Sequence, residues 1–415
     1  MRTLSGRKAE AFVRALEQRG ATDLARVEKQ VRRIVADVRK NGDKALRRYA
    51  EKWDGLKVKQ PLRVTDVDLE QAWNAVPEQF KHALKTAAAN IRQYCEWQKP
   101  QPWRNAVSPG IQVGQVVRPL QSVGCYVPGG RYPLPSTMLM TVIPAQVAGV
   151  AEIRVISPRP APETLAAAHF LGVSQFYRIG GAQAIAALAY GTASVPRVDK
   201  IVGPGNLFVT AAKKLVAFDC GIDFLAGPTE VVIVSERGDA RFIAADLVAQ
   251  SEHDPDALAV FITASSSLAE QVGAEVKRSA VNNEIARKSL KENGAILVAI
   301  SHDQALEFAN RIAAEHITVN EEDLAHIRNA GSIFVGDYSP QAAGDYAAGP
   351  NHVLPTGGVA RFRGGLGVQD FLKTISVQQL SRDGLDRIGA AVITLAEAEG
   401  LKAHAESIRV RSANA

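Results

Sequence analysis

The chain reads as an α/β protein with two Rossmann-like parallel-sheet domains and small helical extensions at its N- and C-termini. Two observations carry that reading. From Val116 onward, short apolar runs alternate with stretches of helical periodicity, the pattern of parallel βαβ units. The runs also fall into two consecutive sets, and at 415 residues the chain exceeds what one hydrophobic core organises.

Taken in order, residues 22–51 place Leu24, Val27, Val31, Ile34, Val38 and Leu46 at helical spacing, and residues 71–95 do the same through Val76, Phe80, Leu84 and Ile91. Between them, Leu62-Arg-Val64 reads as a short strand. The first strand set comprises residues 123–127, 153–156, 175–179, 200–202 and 230–234, with helices expected over 137–148, 162–171 and 182–189. The second set comprises 259–262, 295–299, 317–319 and 332–335. A helix over 239–252 has Asp239 as its N-cap, Phe242, Ile243 and Leu247 facing inward, and Pro255 as its stop signal. Another covers 301–314. Residues 381–411 are helical around Leu385, Ile388, Val392 and Leu395, with a break at Gly400.

Composition narrows the function classes. With 46% hydrophobic and 22% charged residues the chain is an ordinary globular protein. The N-terminal residues lack a signal-peptide core, and the longest apolar stretch, 138–150, is broken by Pro144 and Gln146 and is too short to span a bilayer. Three cysteines, Cys95, Cys125 and Cys220, cannot all pair within one chain, which suits a reducing cytoplasm. The net charge of +6 is scattered, with no basic stripe interleaved with aromatics, so neither nucleic acid nor membrane is expected as a partner. A modest positive field suits an anionic cofactor.

The most informative dipeptide is Glu315-His316, where a helical pattern gives way to the β-type run Ile317-Thr-Val319. A neutral imidazole can take a proton near pH 7 and a neighbouring carboxylate can activate water. By itself the pair is more often a solvated Glu and a capping His at a helix C-terminus. Gln250 and His253, three apart at the end of their helix, share one face. Gly203-Pro-Gly-Asn206 lies between a strand and a helix, where backbone N–H groups can meet a phosphate, although no Gly-x-Gly-x-x-Gly fingerprint occurs in the chain. Taken singly, Asp345 is a turn residue, His404 a helix-surface histidine and His352 a histidine satisfied within a Pro-bounded turn. Cys125 admits an aldehyde dehydrogenase-type thiohemiacetal, but within an apolar strand it reads as a small packed hydrophobe.

Six blocks in register, Gly124-Cys-Tyr-Val-Pro-Gly-Gly130, Gly203-Pro-Gly-Asn206, Gln250-Ser-Glu-His253, Gly344-Asp-Tyr346, Gly349-Pro-Asn-His-Val-Leu-Pro-Thr356 and Glu399-Gly-Leu-Lys-Ala-His404, together with Glu315-His316, resemble the histidinol dehydrogenase family from about Ala21 to His404. The resemblance implies an aldehyde-dehydrogenase-like arrangement. It has an N-terminal extension over 1–20, a first domain over 21–125 and 230–366, an NAD-binding domain over 126–229, and a C-terminal dimerisation segment over 367–415. It also implies NAD and one Zn²⁺ per subunit as cofactors, with Gln250, His253, Asp345 and His404 on the metal and Tyr126, Gln183 and Asn206 on NAD. Thr229, which stands where the family usually has Ser, and Glu399 join Gln250, His253, His316, Asp345 and His404 around the substrate. His352 is a further active-site candidate. In that scheme L-histidinol is oxidised through L-histidinal to L-histidine, with His316 as the base and Glu315 activating water, in a homodimer with exchanged C-terminal segments. Ala314 replaces the family's usual proline before Glu-His, and Gly400 a usually larger residue after Glu399. Two alternatives remain: a paralogue that oxidises another small alcohol such as a sulfopropanediol, and a non-catalytic metal-binding paralogue. Tyr346 and the intact Glu399 favour the amino alcohol.

Overall fold

The computed structural model describes residues 1–19, 24–129 and 133–412. Ala21, the first two residues of the helix expected over 22–51, and Gly130 lie outside them.

Two fully parallel sheets organise the chain. One runs Gln175–Tyr177, Glu152–Ile156, Ser122–Tyr126, Lys200–Val202, Gly221–Ile222. Numbered along the chain, that is 3-2-1-4-5, the dinucleotide-binding order. The other runs Arg2–Ser5, Ala295–Val298, Leu258–Thr263, Glu230–Val234, His316–Val319, Ser332–Val335. From its second member this is again 3-2-1-4-5, with the N-terminal strand added at the edge. The central strands Glu230–Val234 and Leu258–Thr263 are buried throughout, as strands covered on both faces must be, which is why they read as continuous apolar runs.

Both sheets are covered on two sides. The helix Ala25–Trp53, kinked at Gly42 where φ is +50°, packs with Gly181–Tyr190 and Leu207–Val216 over one face of the five-stranded sheet. Glu78–Trp97, Pro135–Ala148 and Pro162–Phe170 cover the other. The six-stranded sheet is held between Gly6–Glu17 with His302–Ile312 and Ala240–Ser251 with Ser266–Ser279.

Glu230–Val234, read with the first strand set, is instead the strand at the centre of the six-stranded sheet, and three further features depart from expectation. The helix expected over 71–95 is two helices, Asp66–Ala75 and Glu78–Trp97, because Val76 adopts an extended backbone before Pro77, as a residue preceding proline prefers. Phe242 is 42% exposed, set edge-to-face with Tyr338, while Ile243 and Leu247 are buried as expected. A three-stranded antiparallel sheet, Leu372–Leu380 beside Ile111–Pro119 beside Trp103–Ser108, was not foreseen. Its hairpin turns at Pro109-Gly110, with Gly110 at φ +82° pressed against the start of the helix Arg382–Ala398. Among the described residues, no helix is long and apolar enough to cross a membrane.

Candidate active site

The helix His302–Ile312 ends on Ala313, whose left-handed φ of +52° turns the chain back toward the sheet. Three residues later His316 opens the strand His316–Val319 and pairs with Val231, which sets Glu315 and His316 beside Glu230, the first residue of the neighbouring strand. The dyad therefore sits at the amino edge of the six-stranded sheet. Both side chains are buried.

Main-chain groups of Glu230 hold both members. Its N–H donates to Glu315 Oε2 at 3.0 Å, and its carbonyl accepts from His316 Nδ1 at 3.0 Å. An Nδ1–H committed to a carbonyl leaves the neutral imidazole with its lone pair on Nε2. That atom is buried without a hydrogen-bond partner, 3.5 Å from Asp345 Oδ1. Glu315 Oε2 also accepts from Thr229 Oγ1 at 2.5 Å, and Thr229 accepts in turn from the Gln250 amide.

Electrostatics follow from this burial. Removal from water pushes the Glu315 carboxyl up to about 7, against the opposing pull of His316, Thr229 and the Glu230 N–H. Burial disfavours charge on His316, but Glu315 and Asp345 outweigh it and raise the imidazole to about 9. Burial would also raise Asp345, yet the imidazoles of His316, His352 and His253 hold it below the usual carboxylate range.

The other predicted residues divide clearly. Gln250 lies buried in the last turn of Ala240–Ser251, and His253 follows past the C-cap Glu252, so the pair straddles the helix end rather than sharing one helical face. Asp345 sits on the short helix Gln341–Tyr346, not in an open turn. His352 donates from Nδ1 to the Asp345 carbonyl at 2.7 Å and meets Thr137 Oγ1 at 3.2 Å, and burial lowers its basicity. Glu399 and His404 are exposed on the C-terminal segment, and among the described residues neither side chain bonds the residues around Glu315. Among the described residues, no group of three or more His, Cys, Asp and Glu side chains stands at metal-holding distances.

Tyr126, Gln183 and Asn206 come together on a separate cleft of about 370 Å³ at the carboxyl edge of the five-stranded sheet, beside the point where its strand order reverses. Tyr126 ends the first strand and its hydroxyl accepts from Gly181 N–H at 3.0 Å. Asn206 caps the helix Leu207–Val216, accepting from Phe208 and Val209. Sequence reasoning missed Asp54 there, a buried carboxylate that accepts from Gly180 N–H and the Gln183 amide. It also passed over Glu230, whose signal was available: a charge opening an otherwise apolar strand must be paired.

The family model for histidinol dehydrogenase matches residues 17–412. The chain belongs to the histidinol dehydrogenase family. It is 48% identical to the histidinol dehydrogenase of Methanosarcina mazei over 97% of this chain and 96% of that one. It is 46% identical to that of Geobacter metallireducens, over 96% and 94%. The crystal structure of histidinol dehydrogenase from Elizabethkingia anophelis superposes with a TM-score of 0.94 at 33% identity, covering 99% of this chain and 98% of that one. The two-sheet architecture is thus that of the family.

Two predictions follow from the buried groups. Cys125 is fully buried in the strand Ser122–Tyr126 and its thiol is pushed up to about 12 by burial, so it carries no thiolate to attack an aldehyde. Cys125→Ala should keep kcat within about threefold, since only packing is lost; a drop of about 10³-fold in a folded variant would restore the covalent reading. For Glu315, a folded value of about 7 above a reference of 4.5 means that ionisation opposes folding. That cost is absent below pH 4.5, grows as pH rises, and is complete above 7. In metal-free protein Glu315→Gln should therefore be more stable than wild type at pH 8, by on the order of 1–3 kcal/mol, with the difference vanishing toward pH 4.5. Denaturant melts at both pH values check this, and an offset independent of pH would contradict it.

Proposed function

We propose that this chain oxidises L-histidinol through L-histidinal to L-histidine, the closing steps of histidine biosynthesis, using NAD and Zn²⁺. The observation that carries the reading is the His316 imidazole, buried, with Nδ1 pinned and Nε2 unbonded between Glu315 and Asp345, in a chain of this family. Despite burial, Glu315 and Asp345 keep a proton on this imidazole in the metal-free chain; a cation held by Asp345 would weaken that pull and free Nε2 as a base beside a carboxyl that can handle water.

The donors fit a catalytic zinc better than a structural one. Gln250, His253 and Asp345 offer oxygen and nitrogen and no thiolate, and His404 would complete the set. Tyr126, Gln183 and Asn206 line a cleft where helix N-termini favour a pyrophosphate. When bound, the zinc supplies an electrophilic anchor for the amine and imidazole of the substrate, and the nicotinamide supplies the hydride acceptor. Thr229 and Glu399 would meet the substrate beside them.

The chain's own residues handle the protons. His316 Nε2 takes the hydroxyl proton as the carbinol C–H bond breaks, leaving the aldehyde. Glu315 then takes a proton from water as its oxygen adds to the aldehyde carbon, and the hydrate gives up a second hydride, for which a second NAD⁺ would have to replace the NADH formed first, to become the acid. Burial of the dyad limits stray water and favours retention of the reactive aldehyde.

Glu399 and His404 reach a site only if a second copy brings them. Leu395 and Val410 on the same segment are 65% and 61% exposed, as are parts of Trp103 and Ile375 on the antiparallel sheet, an apolar surface that suits association. The assembly we propose is a homodimer with exchanged C-terminal segments, located in the cytoplasm.

Two experiments test this. NADH formation should require metal, and Glu315→Gln should slow oxidation of added L-histidinal by about 10²–10⁴-fold while impairing the first oxidation less; equal losses would overturn the division of roles. Mixing the inactive variants Gln250→Ala and His404→Ala with subunit exchange should restore up to about a quarter of the sites, because each mixed dimer carries one complete set. Gln250→Ala with His253→Ala should not complement. Silence of the first mixture despite exchange confirmed by mass spectrometry would place the whole site within one chain.

A further inference from the structure

The Glu230 main chain holds the dyad, and the Glu230 side chain is itself held. Its carboxylate, almost fully buried, accepts from Arg19 Nε at 2.9 Å and Nη2 at 2.8 Å, a two-pronged contact, and Oε1 also accepts from Gly357 N–H at 3.1 Å. The third guanidinium nitrogen of Arg19, Nη1, donates to the carbonyls of Leu16 and Ile312 at 2.5 and 3.0 Å. Ile312 is the last residue of the helix that turns through Ala313 into Glu315. One guanidinium thus grips the dyad from both sides: the strand start whose N–H and carbonyl bind Glu315 and His316, and the helix end that delivers them.

We propose that Arg19 and Glu230 are positioning residues for the catalytic dyad, acting on rate through the main chain of Glu230 and the carbonyl of Ile312. The inference rests on the functional reading of Glu315 and His316 above. Neither residue needs to touch substrate. Only the planar fork of arginine can hold both carboxylate oxygens and two carbonyls at once, so lysine, which keeps the charge, cannot reproduce the grip. Loss of the clamp lets Glu230 shift and with it the aim of His316 Nε2. A misplacement of about 1 Å costs on the order of 10²-fold in rate. Gln250, His253 and Asp345 stand on other elements, so substrate affinity should change little.

The test uses the full-length protein with zinc and NAD. For Arg19→Lys we expect kcat with L-histidinol to fall about 10-fold, and for Arg19→Ala and Glu230→Gln about 10²-fold, with KM within about twofold and zinc content unchanged. Millimolar guanidinium should partly restore Arg19→Ala and leave Arg19→Lys unmoved. Should Arg19→Ala fail to fold, Arg19→Lys decides. A folded Arg19→Lys protein with wild-type kcat, or with a raised KM and intact kcat, overturns the inference. An independent readout is the Nδ1–H resonance of His316 in ¹⁵N-histidine-labelled protein, assigned with His316→Gln. Its shift or broadening in the Arg19 variants supports the clamp, and an unchanged resonance refutes it even if wild type proves inactive toward L-histidinol. That last result would instead overturn the functional reading.

Discussion

The site depends on one pairing, the parallel register that sets His316 opposite Val231. With that register, the Glu230 N–H and carbonyl fall where Glu315 and His316 need a donor and an acceptor. A slip of one residue would turn every side chain of His316–Val319 to the other face. The apolar residues on both sides of the two strands make such a slip costly, since Val231, Val232 and Ile317 are wholly buried. Packing in the sheet interior is therefore what aims the imidazole at its edge.

The same 3-2-1-4-5 order occurs twice, and the two copies use opposite edges. At the carboxyl edge of the five-stranded sheet, the helices Gly181–Tyr190 and Leu207–Val216 begin, and their N-termini favour negative charge. Tyr126, Gln183 and Asn206 are gathered there. At the amino edge of the six-stranded sheet, the helix Ala240–Ser251 ends beside Gln250 and His253, and helix C-termini favour a cation. Backbone dipoles alone thus favour an anion at one edge and a cation at the other, before any side chain is considered.

Much of this was legible in the sequence, for identifiable reasons. Strands buried on both faces announce themselves as apolar runs, so all but the edge strands Arg2–Ser5 and Gly221–Ile222 of the parallel sheets were anticipated. The helix over residues 240–251 was marked by its Asp239 cap, which accepts from Arg241 N–H as expected. The antiparallel sheet escaped because Leu372–Leu380 and Trp103–Ser108 are largely exposed and their mixed polar sequence has no core to pattern it. At the site, Glu315 and His316 stood out by residue type and position, Gln250 and Asp345 came only through the family resemblance, and the structure brings the four together. Arg19 could not be read in the same way. Its partner lies 211 positions away, and nothing around an arginine at the end of a helix tells a clamp from a solvated charge.

The charges around the dyad explain why its parts come from so many elements. Glu230 opens one strand and Glu315 immediately precedes its neighbour, both buried, and like charges so placed disfavour each other's ionisation. Arg19 takes the full charge of Glu230, which leaves the Glu230 main chain free to serve the dyad. Among the described residues the cationic side chain paired with Glu315 is His316, 3.6 Å away at Nδ1, and burial leaves the carboxyl with an exchangeable proton near neutral pH. A strong cation placed on Glu315 instead would have lowered its basicity, and with it its power to take a proton from water. The N-terminal segment that carries Arg19 is thus part of the site's electrostatics: it pairs Glu230 with a guanidinium, while Glu315 faces the His316 imidazole.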